Sequence, residues 1–280
     1  MSSFKDILAL VLDADEDRAA VRAGQSLAAQ FDAALTCAFL TALPDEPLAY
    51  EPTVVAGIWA ELLGRAREDA NSERKKLAAM LAQSDAAVEM RSAEALARDL
   101  GRVAAVHARY ADLTVLTRPS DSGGEVRHEL AEGVLFHSGR PALLIPPDHA
   151  GGSIGRRPLV AWDASREATR ALGDSQPLIA QAECVTVVTV DAKPKAFGHG
   201  DQPGANIGAH LSRRGHKVDV RNVASGGGSA AEAILNEARA VNADLIVMGG
   251  YSHARVRELL FGGATRDLLE LSPFPLFIAH

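Results

Sequence analysis

The chain repeats itself, and a repeat constrains a fold more than any single motif does. An apolar run at 7–12 ends in Asp13, and a second run at 158–162 ends in Asp163, 150 positions later. At the same offset, 35–40 meets 185–190; further on, 111–116 meets 243–248, now 132 apart, and 141–145 meets 275–279. Four matched runs in one order describe a duplication, with halves at 1–148 and 156–280. The Pro/Gly-rich stretch 146–153 joins them. The fall from 150 to 132 leaves 18 extra residues in the first half, within 53–84. There Val54, Ile58, Trp59, Leu62, Leu63, Ala66, Leu77, Met80 and Leu81 recur at near-helical spacing. The pattern predicts one long amphipathic helix, with a shorter counterpart at 202–214.

Each half alternates short apolar runs with helical patterns. In the second half the runs predict strands at 157–162, 184–190, 217–223, 244–249 and 275–279. Helices are predicted at 165–181, 203–214, 229–241 and 263–271, with Ser165 and Ser229 as N-caps. Val/Ile/Leu-rich runs alternating with helices indicate a parallel sheet buried on both faces, so the fold class is α/β, doubly wound, twice. The fifth runs, 142–145 and 276–278, would each be an exposed sheet edge. Pairing them antiparallel removes both edges and makes the halves an internal pseudo-dimer.

Composition narrows the function. Apolar residues make up 47% and charged residues 23%, which suits a globular chain. With 36 acidic against 29 basic residues, the net charge of −7 argues against nucleic acid as a partner. Cys37 and Cys184 sit in apolar runs and read as buried free thiols rather than a disulfide framework. The first apolar run is too short for a signal peptide and no run suits a membrane span, so the chain reads as cytoplasmic.

In an open parallel sheet, ligands bind beyond the carboxyl ends of the strands. Asp163 follows the first strand of the second half, and Gly249-Gly250 follows the fourth. Gly262-Gly263 opens the next helix, whose free N–H groups suit a phosphate. Arg255 and Arg257 between the glycine pairs read either as phosphate clamps or as solvated charges near Glu258. In the first half Asp13 is retained, but Arg118-Pro119 follows the fourth strand and Leu130-Ala131 stands where the helix glycines would be. Any binding is therefore expected in the second half. No histidine pair has metal-ligand spacing, and no nucleophile elbow or lysine-bearing P-loop is present. The catalytic and metal residue sets are thus empty.

These residues resemble the universal stress protein family, over the whole chain, as a tandem pair of its domains. The family's nucleotide-binding members carry G-x2-G-x9-G-(S/T) after the fourth strand. Gly249 takes the first place and Gly262 the third, while Ser252 stands at the second glycine and Gly263 at the Ser/Thr. The resemblance implies two Rossmann-like, five-stranded parallel sheets of order 3-2-1-4-5, associating through the last strand. It places Asp163 near an adenine and its ribose and Val190 near the adenine pocket, with Ala161, Met248 and Ala264 completing the binding set. The function implied is a stress-response regulator that binds ATP or a related adenine nucleotide through its C-terminal domain. Mg can accompany the nucleotide, and the partner expectations extend to an unidentified protein and a homodimer. The alternatives are an interaction protein with vestigial pockets and a slow ATPase.

Overall fold

The short apolar runs form the strands, and the amphipathic stretches between them form the helices. The computed structural model describes residues 3–46, 52–82, 87–119, 124–194, 199–250 and 263–280. They fall into two compact units, Phe4–Arg140 and Pro141–His280, the latter joined by Ser3.

The first unit runs β1 (Asp6–Val11), α1 (Arg18–Phe31), β2 (Ala34–Leu43), α2 (Pro52–Leu81), β3 (Val88–Leu96), α3 (Leu100–Ala108), β4 (Leu113–Thr117) and α4 (Gly124–His137). Its strands lie in the order β3-β2-β1-β4, with β1 parallel to both β2 and β4. β1 and β4 are buried along almost their whole length, as strands covered on both faces must be. Helices α3 and α4 cross at two glycines: a β-carbon on Gly133 would lie 2.5 Å from the carbonyl carbon of Gly101 and closer still to its oxygen. The predicted long helix is α2, of 30 residues.

The second unit runs β5 (Ala142–Ile145), β6 (Pro158–Ala161), α5 (Arg166–Asp174), α6 (Gln176–Ile179), β7 (Val185–Val190), α7 (Ala205–Arg213), β8 (Val218–Val223), α8 (Ala230–Ala240), β9 (Leu245–Gly249), α9 (Gly263–Leu271) and β10 (Leu276–Ala279). Its strands lie in the order β5-β10-β9-β6-β7-β8. Read from β8 to β10, this is the expected 3-2-1-4-5. The order β3-β2-β1-β4-β5 gives the same 3-2-1-4-5 for the first half of the sequence, although β5 groups with the second compact unit. β5 pairs antiparallel with β10, Leu143 opposite Phe277, which is the fifth-strand pairing that the edge argument calls for.

The helix predicted over 165–181 is two helices, α5 and α6. Pro177 lies in the first turn of α6, and with no amide to give to the preceding turn it interrupts the ladder. The predicted caps form. Ser165 Oγ accepts from Ala168 N at 3.0 Å, and Ser229 with Glu232 makes a reciprocal capping box. The duplication also shows in Asp112 and Asp244, 132 residues apart. Asp112 Oδ2 accepts from Lys5 N and Asp6 N; Asp244 accepts from the amides of Gly155, Arg156 and Arg157. Each carboxylate thus satisfies the amides that lead into the first strand of its half.

Cys37 lies fully buried in β2, where burial pushes its thiol up to about 12. Cys184, read from sequence as buried, is half-buried because it lies just ahead of β7.

Candidate functional site

The carboxyl ends of β6, β7 and β9 bring together most of the residues singled out from the sequence. Ala161 ends β6 with Met248 of β9 as its register partner, and Gly249 ends β9. Val190 ends β7, the other neighbour of β6. Ala161, Val190 and Gly249 are half-buried and Met248 is buried, so the edge is apolar and partly open.

Asp163 is exposed just past β6. Its Oδ1 accepts from Ser165 N at 2.9 Å, closing a turn in which Ala164 takes φ +60°. That turn feeds directly into the Ser165 cap of α5, so the helix start fixes the carboxylate's place. Gly263 opens α9, with Ala264 half-buried in its first turn. Ser252 and Gly262, together with Arg255 and Arg257, lie outside the described residues.

Gly249 has a different use from the one its position suggests. A β-carbon there would lie 2.7 Å from the carbonyl carbon of Glu167 and 2.9 Å from its Cβ, and closer still to Ala168 N. The first turn of α5, not open space for a ligand, fills the place beside the glycine. Glu167 itself is 6% exposed. Burial pushes its carboxyl up. Its own backbone amide, the Arg166 guanidinium at 3.0 Å and the charge of His280 outweigh that, and hold it below the usual carboxylate range. His280 in turn bonds Gly250 O through Nδ1 at 2.8 Å, and Gly250 N donates to Ala279 O.

The corresponding edge of the first unit is filled. Asp17, 1% exposed, accepts from Leu12 N at 2.7 Å and Asp13 N at 3.1 Å through Oδ2. Its Oδ1 accepts from Thr117 Oγ1 and from Arg127 Nη1 of α4. Arg127 Nη2 also reaches Glu16 at 2.8 Å. A guanidinium, a carboxylate and a hydroxyl therefore occupy the ground between β1, β4 and the start of α4. Asp13 is spent on the amides of Asp15 and Glu16.

Sequence reasoning missed this cluster, although a signal existed. Arg127 falls on the buried stripe Leu130, Ala131, Val134, and Asp17 on the buried stripe Ala20, Val21, Gly24. Opposite charges at two core-facing positions, one in α4 and one at the cap of α1, must find one another.

Asp13, Asp15 and Glu73 also bring carboxylate oxygens within 4.8 Å of one another. Glu73 is bonded to Ala14 N, and Lys76 Nζ bonds both Glu73, at 2.6 Å, and Asp15. An ammonium already supplies the positive charge that the cluster requires. No helix among the described residues is long and apolar enough to cross a membrane.

Residues 156–280 match the Universal stress protein family. No curated protein matches the chain. Among solved structures, the fold is similar to a universal stress protein from Archaeoglobus fulgidus DSM 4304, at 19% identity and a TM-score of 0.67; the match covers 98% of this chain and 96% of that one. It is also similar to a functionally unknown protein from Pseudomonas aeruginosa PAO1, at 15% identity and a TM-score of 0.58, covering 99% and 92%. The mostly parallel sheet flanked by helices is the fold these chains share. Residues 156–280 are a domain of the universal stress protein family.

Proposed function

We propose that this protein is a stress-response regulator whose C-terminal half, 156–280, binds ATP or a related adenine nucleotide. One observation carries the reading: the two halves differ at the same sheet edge. In the first unit Arg127, Asp17 and Thr117 fill it, whereas in the second an exposed carboxylate, Asp163, stands beside half-buried Ala161 and Val190. That donor set suits a nucleoside. Ala161 and Val190 offer an apolar surface for a base, and Asp163 accepts from sugar hydroxyls. The first amides of α9, at Gly263 and Ala264, suit a phosphate. A bound ATP would bring Mg with its phosphates, and the chain's own part is to bind and orient. Its output is a change in how a partner protein is met.

Gly249 favours a second reading, an interaction protein with vestigial pockets, because packing against α5 accounts for that glycine without any ligand. The test is mass spectrometry of natively purified protein, followed by calorimetric titration of the full chain with ATP and AMP. Binding that falls tenfold or more in Asp163→Ala supports the nucleotide site. No co-purifying nucleotide and no heat with either ligand hands the protein to the second reading.

A further inference from the structure

The helix α2 is anchored along one side only. Its C-terminal part is packed, with Leu77 fully buried and Leu81 9% exposed, and Glu73 holds Ala14 N. Toward the N-terminus the inner side is tied down by Trp59, whose indole N–H donates to Pro44 O, and by the Arg67–Glu94 pair. The outer side of the same turns carries large apolar side chains into water: Ile58 is 55% exposed and Leu62 42%. With Glu61 and Arg65 they fall at i, i+3, i+4 and i+7, one continuous helical face.

That face is self-complementary. Its apolar residues sit together, and its two charges are opposite and four residues apart, bonded at 2.6 Å while both remain more than 60% exposed. A pair so exposed contributes little where it stands. Turned by a two-fold axis onto a second copy, the face sets Leu62 against Leu62 and Ile58 of that copy. The same rotation sets Glu61 beside Arg65 of that copy. Each charge then meets an opposite charge over a seam from which Ile58 and Leu62 exclude water. An isologous contact requires a patch that complements itself, and this one does.

We propose that the outer face of α2, across Ile58, Glu61, Leu62 and Arg65, pairs two copies of this chain. The face from Ile58 to Arg65, roughly 12 Å long at 1.5 Å per residue, is short for a permanent interface. The dimer is therefore concentration-dependent, and it does not depend on the nucleotide site.

Sedimentation of the full chain over micromolar to several hundred micromolar concentrations tests it. The wild type is expected to pass from monomer to dimer, and Leu62→Lys to weaken association at least tenfold while the helix content by circular dichroism is unchanged. Glu61→Arg alone and Arg65→Glu alone should each be driven toward monomer, because each face then carries two like charges. An equimolar mixture of those two variants should recover the dimer, since one face is then basic and the other acidic. Loss of the intrahelical pair cannot produce that recovery. A wild type that stays monomeric throughout, association untouched by Leu62→Lys, or no recovery on mixing would each overturn the proposal.

Discussion

Thr117 and Asp17 in the first unit occupy the places that Gly249 and Glu167 occupy in the second. The offsets of the repeat, 132 and 150 residues, relate the two pairs. In one unit a hydroxyl donates to a short buried carboxylate. In the other the strand residue has shrunk to glycine and the acid has lengthened by a methylene, and the two touch through backbone and β-carbon. The same packing problem, how α1 or α5 starts against the fourth strand of its half, thus has two solutions. The first recruits a buried arginine from α4, whereas the arginine beside Glu167, Arg166, is exposed.

The recruited arginine yields the largest stability effect expected here. Arg127 and Asp17 are both nearly out of water, at 8% and 1% side-chain exposure, and 2.5 Å apart. Arg127→Ala leaves Asp17 buried beside a hydroxyl and two amides without its counter-charge. Urea unfolding of the first unit should show a loss of about 3–5 kcal/mol. Replacing both partners, as Asp17→Leu with Arg127→Met, should cost much less than the single change. A single-variant loss below about 1 kcal/mol would mean that water reaches the pair.

Glycines on α2 and α4 should respond in opposite directions. Nothing lies within 4 Å of a β-carbon built on Gly64, which sits exposed in the interior of α2. Gly64→Ala should therefore stabilise by up to about 1 kcal/mol through helix propensity alone. Gly133→Ala drives a methyl into the Gly101 backbone and should cost about 1–3 kcal/mol as α3 and α4 separate. Thermal midpoints of the two variants check both signs.

The repeat made the architecture readable, because strand spacing, caps and the long helix all follow from local pattern. The site was readable in part. Asp163 sits where the strand-end rule places it, since Asp–Ala–Ser closes a turn and caps a helix in the same three residues. Gly249 stands at the strand end where a ligand is expected, and the packing of α5 by itself accounts for its missing β-carbon. The motif carries the need for a missing β-carbon, but not which neighbour imposes that need. Neither Arg127, within α4, nor Asp17, just ahead of α1, stands out, because the core positions around each are apolar. Their partnership spans 110 residues, a distance over which sequence pattern says nothing.

Glu132 supplies a pH test. Burial, and then the neighbouring charge of Glu129, raise its carboxyl above the ordinary value, so the folded state holds its proton more tightly than the unfolded state does. Stability then falls as the pH rises from the unfolded value through the folded one, and the cost is fully present at neutral pH. Glu132→Gln should stabilise at pH 7 by at most about 0.5 kcal/mol, given partial exposure and screening. The gain should vanish as the pH drops below the carboxylate range, where Glu132 carries no charge. Urea midpoints at several pH values read this directly, and a gain that grew in acid would contradict it.

Gly249→Ala separates what packing needs from what a ligand needs. The added methyl would meet the Glu167 backbone and β-carbon, as well as Ala168 N, so α5 must move away from β9 whether or not a nucleotide is bound. In the ligand-free full chain the substitution should cost about 1–3 kcal/mol, measured by urea unfolding. The displacement of α5 carries the Ser165 cap and the Asp163 turn with it, so any nucleotide affinity should weaken as well. Asp163→Asn keeps the turn acceptor and removes only the charge. It should therefore leave the ligand-free stability unchanged and touch affinity alone. If Gly249→Ala were instead neutral in the ligand-free protein and abolished ATP binding, the glycine would serve the ligand rather than α5. The strand end would then have to open further than the packing of Glu167 allows.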